Sequence, residues 1–99
     1  MARFIINDLI YDTEKMEYIA EVRKWYEYTG ILEKRIFGDG VGKKYDCKLY
    51  RSKRGNYFIE HERNYRIIGE AITKKEAKEL LKCCAYEKYA ELFGELEEA

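Results

Sequence analysis

Two short apolar runs open the chain, Phe4-Ile5-Ile6 and Leu9-Ile10-Tyr11, on either side of the turn formers Asn7-Asp8. This pattern predicts a short hairpin or a strand with an early bend. Asp12-Thr13 then offers an N-cap, Glu14 suits the positive end of a helix dipole, and Met16, Ile19 and Ala20 recur at helical spacing, so a short N-terminal helix is expected. From Tyr18 to Tyr28 the alternation of Tyr18, Ala20 and Val22 against Ile19, Glu21 and Arg23 fits a strand as well, and both readings stand.

Further along, Phe37-Gly38-Asp39-Gly40-Val41-Gly42 places glycine at every second position, which weakens helix and strand alike and reads as a flexible loop. Tyr45 to Arg51 and Tyr57 to Glu62 are two strand patterns joined by Ser52-Lys53-Arg54-Gly55-Asn56, a β-hairpin over 45–62 with a five-residue loop. Arg66 to Ile72 continues as a further strand after a turn at Asn64-Tyr65, giving an antiparallel meander. Thr73-Lys74-Lys75-Glu76 has the capping-box pattern and starts a helical region over 74–93. Its apolar stripe runs Ala77, Leu80, Leu81, Cys84, then Tyr89, Leu92 and Phe93, with a break near Ala85-Tyr86 and a stop at Gly94. A sheet with one apolar face must cover it, and this helix is the cover available. The expectation is therefore a single α+β domain over 1–99, a small two-layer structure with an antiparallel sheet under a C-terminal amphipathic helix.

Composition adds that the chain is apolar enough to fold alone and carries ten tyrosines, whose polar tips tolerate half-buried positions and contact surfaces. Nineteen basic residues balance nineteen acidic ones, but the charge is segregated. Residues 1–42 hold six basic and eight acidic side chains, 43–66 eight and three, and 67–99 five and eight. Cys47, Cys83 and Cys84 suit neither a disulfide framework nor a paired zinc spacing, which points to a reducing compartment. No signal-peptide core or membrane-length apolar run is present, so the expected location is cytoplasmic, with no membrane partner.

The sequence offers little chemistry. Cys83 and Cys84 fall within the helical pattern, where one is expected to face the core and the other its flank. Gly38-x-Gly40-x-Gly42-Lys43 departs from the P-loop spacing, and a strand follows where the dinucleotide fingerprint needs a helix. Ser52 and His61 lack a third catalytic member, and a histidine near a strand end is expected to be a solvated or hydrogen-bonded surface residue. Glu60 and Glu62 read as a solvated edge. No catalytic residue, cofactor or metal is expected, and the chain is read as not an enzyme.

The strongest physical feature is a basic, tyrosine-rich hairpin: Lys48, Arg51, Lys53 and Arg54, followed by Arg63 and Arg66, with Tyr50, Tyr57 and Tyr65 interleaved. Such a set can meet phosphates and stack bases, or meet an acidic protein surface. It can also be a solvated edge that resists aggregation. The acidic segment Glu87, Glu91, Glu95, Glu97 and Glu98 is a second candidate contact or a solvated helix face.

Tyr11-Asp12-Thr13-Glu14-Lys15, Leu49-Tyr50-Arg51-Ser52-Lys53-Arg54-Gly55-Asn56-Tyr57-Phe58, Ile72-Thr73-Lys74-Lys75-Glu76-Ala77-Lys78 and Tyr89-Ala90-Glu91-Leu92-Phe93-Gly94 occur together in this chain. In that order they resemble a family of small proteins of bacteria and their mobile elements, phage-type, with a Y-D-T-E segment, an L-Y-R-x-K-x-G-x-[WY]-F hairpin and an acidic C-terminal helix. These motifs are structural, and no activity comes with them. The stretch from Trp25 to Lys44 is longer and richer in glycine than the resemblance leads one to expect. The resemblance implies an accessory or inhibitor protein that binds a host protein, a defence factor (anti-CRISPR-like) or a regulator. A small nucleic-acid-binding protein using the basic hairpin is the alternative. A homo-oligomer is compatible with either, since an uncovered edge strand can take a symmetric copy.

Overall fold

The computed structural model describes residues 3–27, 35–36, 38, 40–63 and 65–98. Phe37, Asp39 and Asn64, which belong to the expected glycine loop and turn, and all of residues 28–34 therefore lie outside the described residues. The described residues include the strands β1 (Arg3–Ile6), β2 (Leu9–Asp12), β3 (Glu17–Glu27), β4 (Gly42–Arg51), β5 (Tyr57–Arg63) and β6 (Arg66–Ile72) and the helices α1 (Lys74–Cys84) and α2 (Tyr86–Phe93). β3 to β6 form an antiparallel meander in sequence order, and β1 with β2 forms a separate hairpin. The α+β class and the covering C-terminal helices thus match the sequence pattern.

The N-terminal hairpin turns at Asn7 and Asp8, with φ of 50° and 62°. Both residues tolerate this left-handed backbone, which suits a two-residue hairpin turn. Asp12 caps as expected, its Oδ1 accepting from the Glu14 N–H at 3.1 Å. The helix it starts is one 3-10 turn, Thr13–Lys15, and Met16 is already extended.

The N-terminal helix expected through Ile19 and Ala20 is therefore replaced by β3, and the 18–28 stretch is a strand up to Glu27. A β-bulge explains the ambiguity. Tyr18 pairs with Tyr50 and Ala20 with Leu49, so one extra residue is inserted at Ile19. The insertion puts the buried Ile19 and Val22 on the same face at a spacing of three, which mimics a helix.

One face of the four-stranded sheet lies under the helices. Val22, Cys47, Leu49, Ile59, Ala77 and Leu81 are fully buried there, with Ile19, Tyr57, Ile72 and Tyr89 around them. Each fully buried large aliphatic side chain contributes about 1.5–3 kcal/mol by leaving water. The Thr73 hydroxyl accepts from the Glu76 N–H at 3.1 Å and starts α1. The break comes at Ala85, and Gly94 ends α2 at a φ of 91°.

The opposite face of the sheet carries a layer the sequence did not announce. Phe58 is fully buried there beneath Phe4, at 5.1 Å between ring centroids, and Tyr11, stacked at 5.2 Å. Gly69 makes room for them: a Cβ at this position would meet the Phe58 ring and come within 2.8 Å of Phe4. The N-terminal hairpin is thus docked on the sheet through aromatic rings.

Two sequence expectations about single residues are corrected. Cys83 and Cys84 are both exposed, because Ala77 and Leu81 take the inward face of α1. Cys84 reaches only the edge of β3, where its Sγ accepts from the Arg23 N–H at 3.3 Å. His61 is buried at 4% exposure, since it shares the inward parity of Tyr57 and Ile59.

Candidate functional site

The loop 52–56 is tightly built. The Ser52 N–H donates to the Asn56 carbonyl at 2.8 Å, the Gly55 N–H to the Ser52 carbonyl at 2.9 Å, and the Asn56 N–H to Ser52 Oγ at 3.1 Å. Gly55 supplies a φ of 86° that an L side chain adopts only with strain. This holds Lys53 and Arg54 at a fixed, exposed tip.

That tip faces the N-terminal hairpin across a cleft of about 560 Å³. Leu9, Ile10, Tyr11 and Met16 supply its apolar lining, and Ser52 and Asn56 its polar wall. Four cations line it, Arg3, Lys15, Lys53 and Arg54, against two carboxylates, Asp8 and Asp12. Asp12 is already engaged: Arg3 Nη2 lies 3.6 Å from its Oδ2, and its other oxygen caps the 3-10 turn. The cleft thus has a positive balance. Ile10 is 68% exposed and its cross-strand neighbour Ile5 74%, so apolar surface continues from the cleft over the outside of the hairpin.

Lys53 and Arg54 are the members of the predicted set that meet in this cleft. The others are dispersed. Lys48 lies on the hairpin side of the sheet, in register between Glu21 and Glu60. Arg51 is bound to Glu17, at 2.7 Å through Nη2 and 3.2 Å through Nε, and this pairing holds its guanidinium more firmly protonated. Tyr50 is half-buried in an aromatic row, 5.7 Å from Tyr18 and 6.5 Å from Phe58. Burial raises its pKa, with Glu60 and Tyr18 adding to the effect.

Tyr57 is buried beneath α2, 6.5 Å from Phe93, and is a core residue rather than a contact. Arg63, Tyr65 and Arg66 stand at the far end of β5, about 20 Å from the loop at strand rise. There the Arg63 guanidinium lies 5.4 Å from the Tyr45 ring centroid, and Tyr65, with a φ of 63°, is 99% exposed. The hairpin therefore presents two separate ends instead of one continuous basic surface.

The sequence reading missed the other half of the cleft, Arg3, Leu9, Ile10, Asp12, Lys15 and Met16. A signal was present: Phe4-Ile5-Ile6 and Leu9-Ile10-Tyr11 are apolar on both faces of a two-stranded hairpin, which can bury only one. The other remains available for contact.

The inward face at the far end of the sheet holds a second cluster of ionisable groups. Lys24 Nζ lies 3.0 Å from Glu70 Oε1 and 3.4 Å from Glu76 Oε2, and Tyr26 donates to Glu70 at 2.7 Å. Burial opposes the charge on Lys24, but the two carboxylates outweigh it and raise its pKa. Burial, then Glu70, drives the Tyr26 phenol far up, and burial pushes the Cys47 thiol up to about 11. A thiol so placed is protonated and inert at neutral pH. His61 stacks between Tyr26, at 4.7 Å, and Tyr45, at 5.3 Å, and neither ring nitrogen has a hydrogen-bond partner among the described residues. Both nitrogens are closed to solvent, so His61 itself is out of reach of a substrate. Among the described residues no three His, Cys, Asp or Glu side chains converge as metal ligands, and no helix is long and apolar enough to cross a membrane.

Comparison with protein-family models, curated proteins and solved structures returned no match, so the cleft is interpreted from its own geometry.

Proposed function

We propose that this chain is a protein-binding module with no reaction of its own, and that it receives an acidic, apolar-anchored segment of a partner protein in the cleft between the N-terminal hairpin and the 52–56 loop. The observation that supports this reading is the combination of an apolar lining with four cationic side chains against two carboxylates. Exposed Ile5 and Ile10 lie alongside as anchors. Apolar anchors supply interface energy, and the surrounding cations select and steer an acidic partner. The role implied by the resemblance, obstruction of a host defence or regulatory factor, requires only such docking. The nucleic-acid alternative is less well supported, because it needs a continuous cationic track with stacking rings. Here Arg51 is paired, Tyr57 is buried, and the remaining cations divide between two ends of the hairpin.

The test places a photo-crosslinking residue at Ile10 and, as a control, at Lys75 on α1, in cells and in nuclease-treated lysate. The expected result is a crosslink from position 10 to an acidic stretch of one protein. Lys53→Glu combined with Arg54→Glu should weaken that capture by about tenfold or more while leaving the circular dichroism unchanged. Capture from position 75 alone, loss of all capture with nuclease, or full retention by the charge-reversed variant would each defeat the reading.

A further inference from the structure

The two edges of the four-stranded sheet are treated very differently. β3 carries charges at Glu17, Glu21, Arg23, Lys24 and Glu27, and α1 covers it where Cys84 Sγ accepts from the Arg23 N–H. Charges and a covering helix are the usual protections of a strand edge. β6, the other edge, has no strand on its outer side among the described residues. It has no proline, no lysine and no bulge in its register with β5, and it leaves Ile67 59% and Ile68 36% exposed.

Hydrogen-bond parity fixes what this edge can pair with. The register Arg63↔Arg66 leaves two residues between the strands, and the pair closing such a turn exchanges both of its backbone bonds. Counting along β6, Arg66, Ile68, Glu70 and Ile72 bond inward to β5. The N–H and C=O groups of Ile67, Gly69 and Ala71 point out of the sheet.

We propose that β6 pairs with β6 of a second copy of this chain, antiparallel, with the two-fold axis at Ile68. In that register Arg66 lies opposite Glu70 of the copy, and Glu70 opposite its Arg66, so each dimer gains two opposite-charge cross-strand pairs. Ile67 bonds opposite Gly69, whose missing side chain leaves room beside the Phe4 ring. Ile68 meets itself at a non-hydrogen-bonded position, where side chains approach most closely. Centring the pair on Gly69 instead would set Glu70 against Ile68, and centring it on Ile67 would set Arg66 against Ile68. Charge complementarity therefore selects the Ile68 axis. Glu70 already accepts from Lys24 and Tyr26, but its side chain is 39% exposed and a carboxylate has further acceptor capacity. The dimer leaves the cleft of Lys53 and Arg54 at the opposite end of β5, so the inference stands whether or not that cleft binds a partner.

Sedimentation equilibrium of the full chain, and disulfide trapping in a Cys83→Ser, Cys84→Ser background, test this together. The expected result is a reversible dimer in which Ile68→Cys is crosslinked rapidly by oxidised glutathione, while Ile5→Cys, more exposed but on the hairpin, is not. Arg66→Glu sets like charges opposite twice and should weaken the dimer by about tenfold, with the circular dichroism of the monomer retained. A chain that stays monomeric at every concentration overturns the proposal, as does a dimer that links equally well through Ile5→Cys or is indifferent to Arg66→Glu.

Discussion

Replacing the buried histidine should make this protein more stable, an unusual direction for a core substitution. His61 is 4% exposed, and neither ring nitrogen has a partner among the described residues. Leaving a buried polar group unsatisfied costs about 1–3 kcal/mol. His61→Leu removes it with little change in volume, at the expense of the stacking on Tyr26 and Tyr45, worth about 0.5–1.5 kcal/mol. The balance at pH 7 is a gain of about 1 kcal/mol.

The pH dependence is the sharper part of this prediction. Burial lowers the His61 pKa below its usual 6.5 and the charge of Arg63 lowers it further; Glu70 opposes them more weakly, and Lys24 adds the smallest lowering effect. Between the depressed folded value and 6.5 the unfolded chain binds the proton and the folded chain does not. Wild-type stability contributed by this group is therefore complete above pH 6.5 and falls as the pH drops below it. The slope is at most about 1.4 kcal/mol per pH unit, and it levels off below the folded pKa. Urea denaturation of both proteins at one protein concentration, from pH 7.5 to pH 5, should show the advantage of His61→Leu widening as the pH falls. Carboxylates common to both chains cancel in the difference. A difference that stays constant with pH, or a variant less stable than wild type throughout, would refute the reasoning.

Gly69→Ala should destabilise by about 1–3 kcal/mol, because the added methyl collides with the Phe4 and Phe58 rings. Combining it with Phe4→Ala should be less damaging than the sum of the two, since the second change vacates the Phe4 side of the contested space; a double-mutant cycle in urea measures the coupling. Thr73→Ala should cost about 1 kcal/mol through loss of the N-cap bond to Glu76, and Thr73→Ser should recover most of it in thermal unfolding.

What could be read from the sequence was what is decided locally. Ser52 to Asn56 is a loop because of its own residues, Thr73 caps α1 through a residue three positions away, and Gly94 ends α2 by its own backbone freedom. Ile19 could not be read this way, since its bulge is a property of pairing with β4 and turns an alternating strand into apparent helical spacing. His61 was legible in principle, because it shares parity with Tyr57 and Ile59, but its charged neighbours Glu60 and Glu62 suggested a surface. Of the cleft, Lys53 and Arg54 were visible as cations on a turn. Arg3, Ile10 and Lys15 were not, because only the docking of Phe4 and Tyr11 on Phe58 brings that segment opposite the loop.

That docking also sets an order of events during synthesis. β1 and β2 leave the ribosome before the strands that carry Phe58 and Gly69, and a lone two-stranded hairpin is marginal in water. This hairpin, made before its docking site, is therefore among the last elements of the fold to settle, held open until β6 has paired. In that interval Phe4, Ile5, Ile10 and Tyr11 are all solvent-facing, and it is then that a nascent chain is most open to chaperones and to premature association with its neighbours.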